Sequence, residues 1–388
     1  MREGRVEPEQ LGLQLRRARE GARMSQADTA RSLGLSPAAI SQYEAGRRGI
    51  DALMLDRLGR LYGVPVRFFF DEEATRPNWE DVVLLRTVTL DASAKAGLTV
   101  LIGHVNALME LHRRSDVVPS GPAHPPFPPL PDVEVHDREV ADWAEKARRH
   151  SNLGMAPLVD LRGLLETQGY KVFSIPLGKG DEQLSGVFFS HPELGPIVGL
   201  NEDQAYSRRP FTLAHELAHG LFHYDRLAVL CRMSDKAPME RFADAFAAHF
   251  LVPREALDER VRDLGIKRVT RAEEIVHLAR YFAISYGAME RRLSAARLLA
   301  GEVGSFEAKP IALARSLGYA PAPYEFGTRP LPPEERFPRI FLELAQRCVR
   351  DRTLSSRRVA EMLGISDIEI EERLALSEVE EEREPSYA

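Results

Sequence analysis

The stretch Phe211-Thr-Leu-Ala-His-Glu-Leu-Ala-His-Gly-Leu-Phe-His223 carries two histidines four residues apart, with a glutamate directly after the first. On an α-helix, side chains four residues apart leave the same face, so His215 and His219 can reach one ion. Imidazole nitrogens bind zinc at about 2.0–2.1 Å. Glu216 would lie beside that ion, where a carboxylate can take a proton from an attacking water. This stretch therefore predicts a helix that carries a zinc-type site.

A second helical stretch downstream supplies a candidate for the third ligand. Catalytic zinc usually takes three protein ligands, and Glu240 opens this helix 21 residues after His219. Asp244 lies one turn further on, where its carboxylate can hold the free ring N–H of a ligand histidine. We interpret Glu240 as the third metal ligand and Asp244 as its supporting neighbour. His223 lies four residues past His219 and could touch the site, although capping or packing is the favoured role. Mn²⁺ fits the predicted ligands as well as Zn²⁺ does.

These two helical stretches resemble the ImmA/IrrE family of metallopeptidases over about residues 137–300. The resemblance is carried by Phe211–Gly220, Glu240–Ala247 and Phe250–Pro253, with Gly199–Asn201 and Arg208–Arg209 ahead of the first helix. It implies a zincin-like α+β domain with a small sheet, a His/His/Glu metal site and Glu216 as the base. It also implies cleavage of a helix-turn-helix repressor in a stress or mobile-element response.

Short runs rich in β-branched and aromatic residues predict the strands of that sheet. They lie at Tyr170–Ile175, Gly186–Ser190 and Ile197–Leu200, each bounded by Gly or Pro. We expect the strands near 186–200 to pair with a substrate in extended form, which would bind a peptide without deep side-chain pockets.

The amino-terminal residues include the signals that start and end short helices. Ser25 and Ser36 are N-cap residues, Pro37 suits the first helical position, and Gly34 tolerates the left-handed turn that ends a helix. Two short helices joined by such a turn are typical of a helix-turn-helix. The run from Met24 to Arg48, with its Ser-Gln-Tyr-Glu-Ala-Gly stretch, resembles the XRE/Cro-type repressor domain.

That resemblance implies which residues would contact DNA. In this geometry the third helix enters the major groove with its amino-terminal residues at the base edges. Ser36 opens this helix, and Ala38, Ala39, Ser41 and Gln42 would face bases. Phosphate contacts, which fix register rather than sequence, would come from Gln26, Tyr43, Arg47 and Arg48. Ala30 and Ile40 are predicted to be core positions.

Charge and composition limit the remaining function classes. The net charge of −6 argues against a nucleic-acid contact over the whole chain, but residues 1–70 hold 12 arginines and 8 acids, a balance of +4. Residues 366–388 hold 9 acids and 2 arginines, a balance of −7. No apolar run is long enough for a membrane span or a signal peptide. Cys231 and Cys348 are expected to be small buried hydrophobes, and the expected compartment is the cytoplasm.

The expected fold class is α+β and mostly helical, with an all-α helix-turn-helix domain at the amino-terminal end and an all-α region at the carboxyl-terminal end. Between 118 and 131 there are seven prolines in fourteen residues, which exclude a helix or a central strand and predict an extended spacer. Residues 359–366 resemble half of a helix-turn-helix, but the acids that follow argue against DNA and favour packing or dimerisation. The predicted divisions are 1–73 (helix-turn-helix domain), 74–117 (connecting helix), 118–134 (Pro-rich linker), 135–300 (metallopeptidase domain) and 301–388 (helical region with an acidic tail).

Three functions are compatible with this organisation. The first is a DNA-binding regulator with a zinc-dependent endopeptidase domain that cleaves a repressor-type protein. The second is a transcriptional regulator whose peptidase-like domain senses a ligand or partner without proteolysis. The third is an antitoxin. The expected partners are a double-stranded DNA operator, a repressor-type protein substrate and, in a homodimer, a second copy of the chain.

Overall fold

The protein is described by a computed structural model that covers residues 8–22, 24–64, 66–70, 90–119, 125–130, 133–180, 183–224, 226, 228–232, 235, 237–302, 304, 309–320, 331–366 and 368–370. Within these ranges the regular elements are helices and one four-stranded sheet. This arrangement confirms the mostly helical α+β class. Of the helices in these ranges, none combines the length and apolar character needed to span a membrane.

The amino-terminal domain is built from four helices, α1 (Pro8–Gly21), α2 (Gln26–Leu33), α3 (Pro37–Glu44) and α4 (Ala52–Tyr62), followed by a 3-10 turn. The Ser25 side chain accepts the N–H of Asp28 at the start of α2, and Ser36 accepts the N–H of Ala39 at the start of α3. Gly34 ends α2 with a φ of 68°, the left-handed conformation expected of a glycine at that place. The local signals in the sequence therefore set the bounds of α2 and α3.

The sheet contains four strands, β1 (Lys171–Ile175), β2 (Leu184–His191), β3 (Gly195–Asn201) and β4 (Ala228–Arg232). Their order across the sheet is β1-β3-β2-β4; β1 runs parallel to β3, and the other pairs are antiparallel. The first three strands match the predicted runs within a few residues, and β4 was not predicted. Strands β2 and β3 each have a neighbour on both sides. The expectation that the segment 186–200 pairs with a substrate is therefore wrong, because its backbone groups already bond within the sheet.

One face of the sheet is covered by α8 (Arg209–Phe222), which packs on β2 and β3, and by α7 (Leu161–Thr167), which packs on β1. The helix α9 (Pro238–Leu251) packs on α8, and α6 (Asp137–His150) packs on α9. Alternate strand residues point to this face. Phe188 of β2 and Val198 of β3 are fully buried in the core that these helices share. The site helix α8 is thus packed directly on the sheet, and α9 is held through α8.

The opposite face is covered by α5 (Ala92–Ser115) together with α15 (Arg339–Arg350). Val187 and Phe189 of β2 share a second core with Leu98 and Leu101 of α5 and with Phe341 of α15. The helix α5 falls in the stretch 74–117, which was interpreted as a connecting helix. Its packing shows that it also forms one layer of the domain, and residues 74–89 lie outside the described residues.

The Pro-rich segment, where described, contacts the domain instead of running free. The Phe127 ring stacks on Phe222 with centroids 5.3 Å apart, and the Leu130 N–H donates to the Phe222 carbonyl at 2.8 Å. No helix or strand forms at residues 118–119 or 125–130, as the prolines predicted. Its second half therefore covers the end of α8.

The carboxyl-terminal third is helical where it is described. After α10 (Arg254–Asp263) come α11 (Ala272–Tyr281), α12 (Tyr286–Ala295), α13 (Pro310–Ser316), α14 (Pro333–Arg336), α15 and α16 (Ser356–Leu363). Val359, Ala360 and Leu363 of α16 are buried in the second core. Packing, which the sequence favoured for this segment, is confirmed. The acidic residues 371–388 lie outside the described residues.

Candidate functional site

The helix α8 is buried around almost its whole circumference. It follows a 3-10 turn at Tyr206–Arg208, and Pro210 occupies its first turn, where a missing N–H costs nothing. Every residue from Thr212 to Phe222 is buried. A polar side chain in such a helix must find its partners inside the protein. His215, Glu216 and His219 are therefore placed to contact one another and the elements around them.

The three residues predicted as ligands converge on one point. His215 Nε2 lies 3.1 Å from His219 Nε2 and 3.1 Å from Glu240 Oε2. His219 Nε2 lies 3.5 Å from Glu240 Oε1. Glu240 is in the first turn of α9 and only 3% exposed, so it is not a solvated surface glutamate. The structure thus brings together two nitrogens and a carboxylate from two helices.

These separations fit the donor set of a metal ion. Bonds of about 2.0–2.1 Å in a tetrahedral arrangement place nitrogen and oxygen donors roughly 3.3 Å from one another. The observed separations of 3.1 to 3.5 Å agree with that value. A cation bound by both rings would hold the two Nε2 atoms at about this distance. The role of His215, His219 and Glu240 as ligands stays a prediction.

Each histidine is also held through its other ring nitrogen. His215 Nδ1 lies 2.9 Å from Asp244 Oδ1, the contact predicted for that carboxylate. His219 Nδ1 lies 3.0 Å from His223 Nδ1. Burial lowers the pKa of His223 to about 3, so its neutral ring can accept the His219 N–H. Both contacts direct the Nε2 atoms of His215 and His219 toward the site, where a metal can take the place of a proton. His223 therefore touches the site through His219, which was the less favoured alternative to capping or packing.

Charge around His215 favours a cation. Burial lowers the pKa of His215, but hydrogen bonds to Asp244 and Glu240 outweigh it and raise the pKa to about 10. The two carboxylates thus attract positive charge to this ring. The same two carboxylates would stabilise a divalent ion bound at this place.

Glu216 points into the same region and is completely buried. Neither carboxylate oxygen has a hydrogen-bond partner of good geometry among the described residues. Burial raises the pKa of Glu216 to about 8, while the charge of His215 and the weak Cys231 thiol donor act in the opposite direction. Gly186 of β2 makes room for it, because a Cβ there would lie 2.2 Å from Glu216 Oε1. A buried carboxyl with a raised pKa is suited to exchange protons near neutral pH.

Cys231 of β4 is a member of the cluster that the sequence did not reveal. Its Sγ and the donor atoms of His215, His219 and Glu240 all lie within 4.8 Å of one another, and all four residues are buried. Sequence reasoning assigned it to packing, as a small buried hydrophobe. Its position depends on the register of β4 against β2, which pairs Cys231 with Gly186. The one sequence signal that could have indicated Cys231 as a ligand is its closeness along the chain to the His-Glu-Xaa-Xaa-His stretch.

Three of the predicted DNA contacts have side chains that are buried or bonded within the domain. Ala39 and Tyr43 are only 5% and 7% exposed, and Tyr43 belongs to the core between the helices. The DNA contacts of both residues stay predictions, and the Tyr43 ring packs under the Arg48 guanidinium, 5.2 Å from the ring centroid. Gln26 Nε2 donates to Glu44 at 2.8 Å, which uses one of its donors inside the domain.

The other predicted contacts remain at the surface. Ala30 and Ile40 are 1% exposed each, which confirms them as core positions. The predicted contacts that are exposed in and around α3 are Ser36, Ala38, Ser41, Gln42, Arg47 and Arg48.

Comparison with known families assigns both regions. Residues 165–294, about a third of the chain, match the family model of the IrrE N-terminal-like domain, a peptidase M78 family. Residues 10–67 match a helix-turn-helix domain. The chain therefore joins a helix-turn-helix domain to an IrrE N-terminal-like domain. The resemblances seen in the sequence are confirmed in this order along the chain. No curated protein matches the chain.

Both matched regions contain the residues singled out above. The IrrE N-terminal-like match includes the sheet, α8 and α9, and with them all four donors of the buried cluster. The helix-turn-helix match includes α2 and α3. The match of residues 165–294 to the peptidase M78 family model and the buried donor cluster together indicate a metal site.

Proposed function

We propose that this protein is a DNA-binding regulator with a zinc-dependent endopeptidase domain that cleaves a repressor-type protein. The observation that carries the proposal is the convergence of His215, His219 and Glu240 beside the buried carboxyl of Glu216. A cytoplasmic regulator in a stress or mobile-element response is the setting that agrees with both domains. Manganese in place of zinc would be held by the same ligands.

His215, His219 and Glu240 would hold the metal, and Glu216 would move a proton. A divalent ion bound there supplies Lewis acidity toward the scissile carbonyl and the attacking water. Glu216 takes the proton of that water as it attacks, and then gives the proton to the nitrogen of the departing amine. The raised pKa of this buried carboxyl, about 8, supports both halves of the transfer near neutral pH. Asp244 and His223 keep the ligand rings in the orientation that the site needs.

The free edge of β4 is the place where we propose that an extended substrate binds. Among the described strands β4 pairs only with β2, and Cys231 of β4 belongs to the donor cluster. A peptide added along this edge would use backbone hydrogen bonds and pass close to Glu216. This assignment replaces the strands near 186–200 as the pairing edge.

The helix-turn-helix domain would bring the peptidase domain to a DNA operator. Gln42 can pair bidentately with adenine, and Arg47 and Arg48 can contact phosphates. The exposure of these three side chains supports the proposal. A repressor bound at a nearby site would then be a substrate held at high local concentration.

The test is metal analysis of the purified protein, followed by incubation with the products of neighbouring genes with and without a chelator. We expect one metal per chain and chelator-sensitive cleavage of a repressor-type protein. The Glu216→Gln variant should keep its metal and lose cleavage, and Glu255→Gln, which changes a glutamate on α10, should cleave normally. Substoichiometric metal without any chelator effect would overturn the proposal. Bound metal with unchanged DNA binding and no substrate would favour the non-proteolytic regulator or antitoxin instead.

A further inference from the structure

Among the described residues, four donors meet at the site: His215, His219, Cys231 and Glu240. A catalytic zinc site usually has three protein ligands. We propose that the Cys231 thiolate is a fourth protein ligand, which closes the metal site in the resting protein. The inference rests on the proposed metal-dependent function and adds a regulatory property to the same site. Catalytic sites keep one position for water or substrate, whereas structural sites fill all four with protein groups.

The position of Cys231 supports this role. The side chain comes from the strand side of the site, whereas His215, His219 and Glu240 come from α8 and α9. Its Sγ lies within 4.8 Å of all three donors. A tetrahedral site with three nitrogen or oxygen donors and one sulfur at about 2.3 Å requires separations of roughly 3.3–3.6 Å. A change of the cysteine rotamer that shortens these separations by at most about 1.2 Å therefore completes the arrangement.

The backbone around Cys231 is hydrogen-bonded to β2 on one side. Gly186 is its partner across β2 and β4, and the Ser185 hydroxyl donates to the Cys231 carbonyl at 3.1 Å. The residue is 0% exposed. A second observation points to a ligand at this place: both Glu216 oxygens are buried beside the cluster and lack a partner of good geometry. A carboxyl in that position is satisfied when a cation with its ligands, or a water, occupies the space next to it.

The other cysteine provides the contrast. Cys348 is equally buried, but it packs in the second core on the opposite face of the sheet. Its thiol donates to the Leu111 carbonyl at 3.7 Å, an ordinary contact of a packed cysteine. Both cysteines are buried, but Cys231 lies among potential metal ligands, whereas Cys348 lies among apolar side chains. Burial alone therefore does not account for the place of Cys231.

The consequence concerns access of water to the metal. With four protein donors in place, the water that Glu216 activates can enter only when the sulfur leaves. A substrate that pairs with β4 would move the strand that carries this sulfur. Closing the site in this way would keep the peptidase domain inactive until a substrate or signal displaces β4.

The experiment is to load the protein with Co²⁺ and record its absorption, and to load it with Zn²⁺ and measure the metal–ligand distances by X-ray absorption. We expect a sulfur-to-cobalt charge-transfer band and a zinc–sulfur distance of about 2.3 Å. Cys348→Ala should retain both signals. Cys231→Ala should lose both, keep a His/His/Glu-bound metal and gain a position open to added azide, and Cys231→Ser provides a second variant if the alanine protein does not fold.

The outcomes separate this inference from the proposed function. Stoichiometric metal without a sulfur signal in the wild-type protein overturns the fourth ligand and leaves the peptidase proposal standing. Failure of the wild-type protein to bind metal contradicts both. A sulfur signal that persists in Cys231→Ala and disappears in Cys348→Ala also overturns the assignment.

Discussion

Each histidine that faces the cluster uses one ring nitrogen inward and has the other nitrogen held by a neighbouring side chain. For His215 that neighbour is Asp244, at 2.9 Å, and for His219 it is His223, at 3.0 Å. Such contacts fix both the tautomer and the ring plane before a metal arrives. A flexible imidazole would have to lose that freedom on binding. The supporting residues should therefore contribute to metal affinity without touching the ion.

Replacing Asp244 tests this contribution. We expect Asp244→Ala to weaken zinc affinity by about 10–100-fold, the usual effect of removing such a support. The matched control is Asp137→Ala, because Asp137 Oδ1 contacts His249 Nε2 at the same distance, 2.9 Å, away from the cluster. Competition with a chromophoric chelator measures both affinities. Equal affinities for the two variants would show that Asp244 does not orient a ligand.

A second residue-scale prediction concerns pH and His191, at the turn between β2 and β3. His191 Nδ1 accepts the N–H groups of Glu193 and Leu194 at 3.1 and 3.0 Å, and the side chain is 3% exposed. Burial, with the charge of Lys171, lowers its pKa from 6.5 to about 4. The folded state thus favours the neutral ring. Its contribution is complete above pH 6.5 and is lost as the pH falls from 6.5 toward 4.

The size of this effect is about 3 kcal/mol, because each unit of pKa difference corresponds to about 1.4 kcal/mol. His191→Asn keeps an acceptor for the two amides but cannot take a proton. Between pH 7 and pH 4.5, urea unfolding should therefore show a smaller loss of stability for this variant than for the wild type, by about 2–3 kcal/mol. His136→Asn, at an exposed position, should follow the wild type. The same loss in all three proteins would contradict the assignment.

The sequence predicted the site residues that depend on helix geometry alone. His215, Glu216 and His219 are fixed relative to one another by the helical repeat, and Asp244 lies one turn from Glu240 for the same reason. Cys231 could not be placed in this way. Its approach to the cluster depends on which residue of β2 it pairs with, and strand pairing is a tertiary property.

At the scale of elements, the sheet is enclosed between two helical layers, and the second layer was the less predictable. The helix α5 has the apolar periodicity of any amphipathic helix, which indicates a buried face without indicating its partner. The strand β4 is five residues long and shows no strict alternation, so pairing with β2 rather than local sequence defines it. The strands β1 to β3 were predicted because β-branched and aromatic residues are concentrated between glycines and prolines.

Two glycines of α5 test whether this helix is a layer of the domain. A Cβ at Gly97 would lie 1.9 Å from the Pro176 carbonyl oxygen, whereas a Cβ at Gly103 would meet no atom within 4 Å. Both substitutions to alanine gain the same helix propensity, about 1 kcal/mol. Gly103→Ala should therefore stabilise the protein by about that amount, and Gly97→Ala should destabilise it by about 1–3 kcal/mol through the forced displacement. Thermal unfolding measures both, and stabilisation by Gly97→Ala would show that α5 does not pack against the sheet this closely.

At the scale of the whole molecule, charge is distributed so that the amino-terminal end is suited to bind DNA although the net charge of the chain is negative. The net charge is −6, while residues 1–70 carry a balance of +4 from 12 arginines and 8 acids. Phosphate contacts by such a region give an affinity that falls with salt. The donor cluster contributes nothing to this salt-dependent DNA affinity if the two domains act separately. Substitutions in one domain should then leave the other function unchanged.

Arg47 and Glu216 provide the test of that separation. Arg47→Ala should weaken DNA binding about equally for all sequences and reduce the slope of log affinity against log salt by about 1, because one phosphate contact is lost. Arg60→Ala removes the same charge from α4, where the side chain pairs with Asp56, and should leave the salt slope nearly unchanged. Glu216→Gln should keep wild-type DNA affinity, and Arg47→Ala should keep wild-type metal content. Fluorescence anisotropy over a salt series measures the slopes. If the two arginine variants had equal slopes, the contact would come from the overall field of the domain rather than from the face that follows α3, because both variants remove one charge from the same domain.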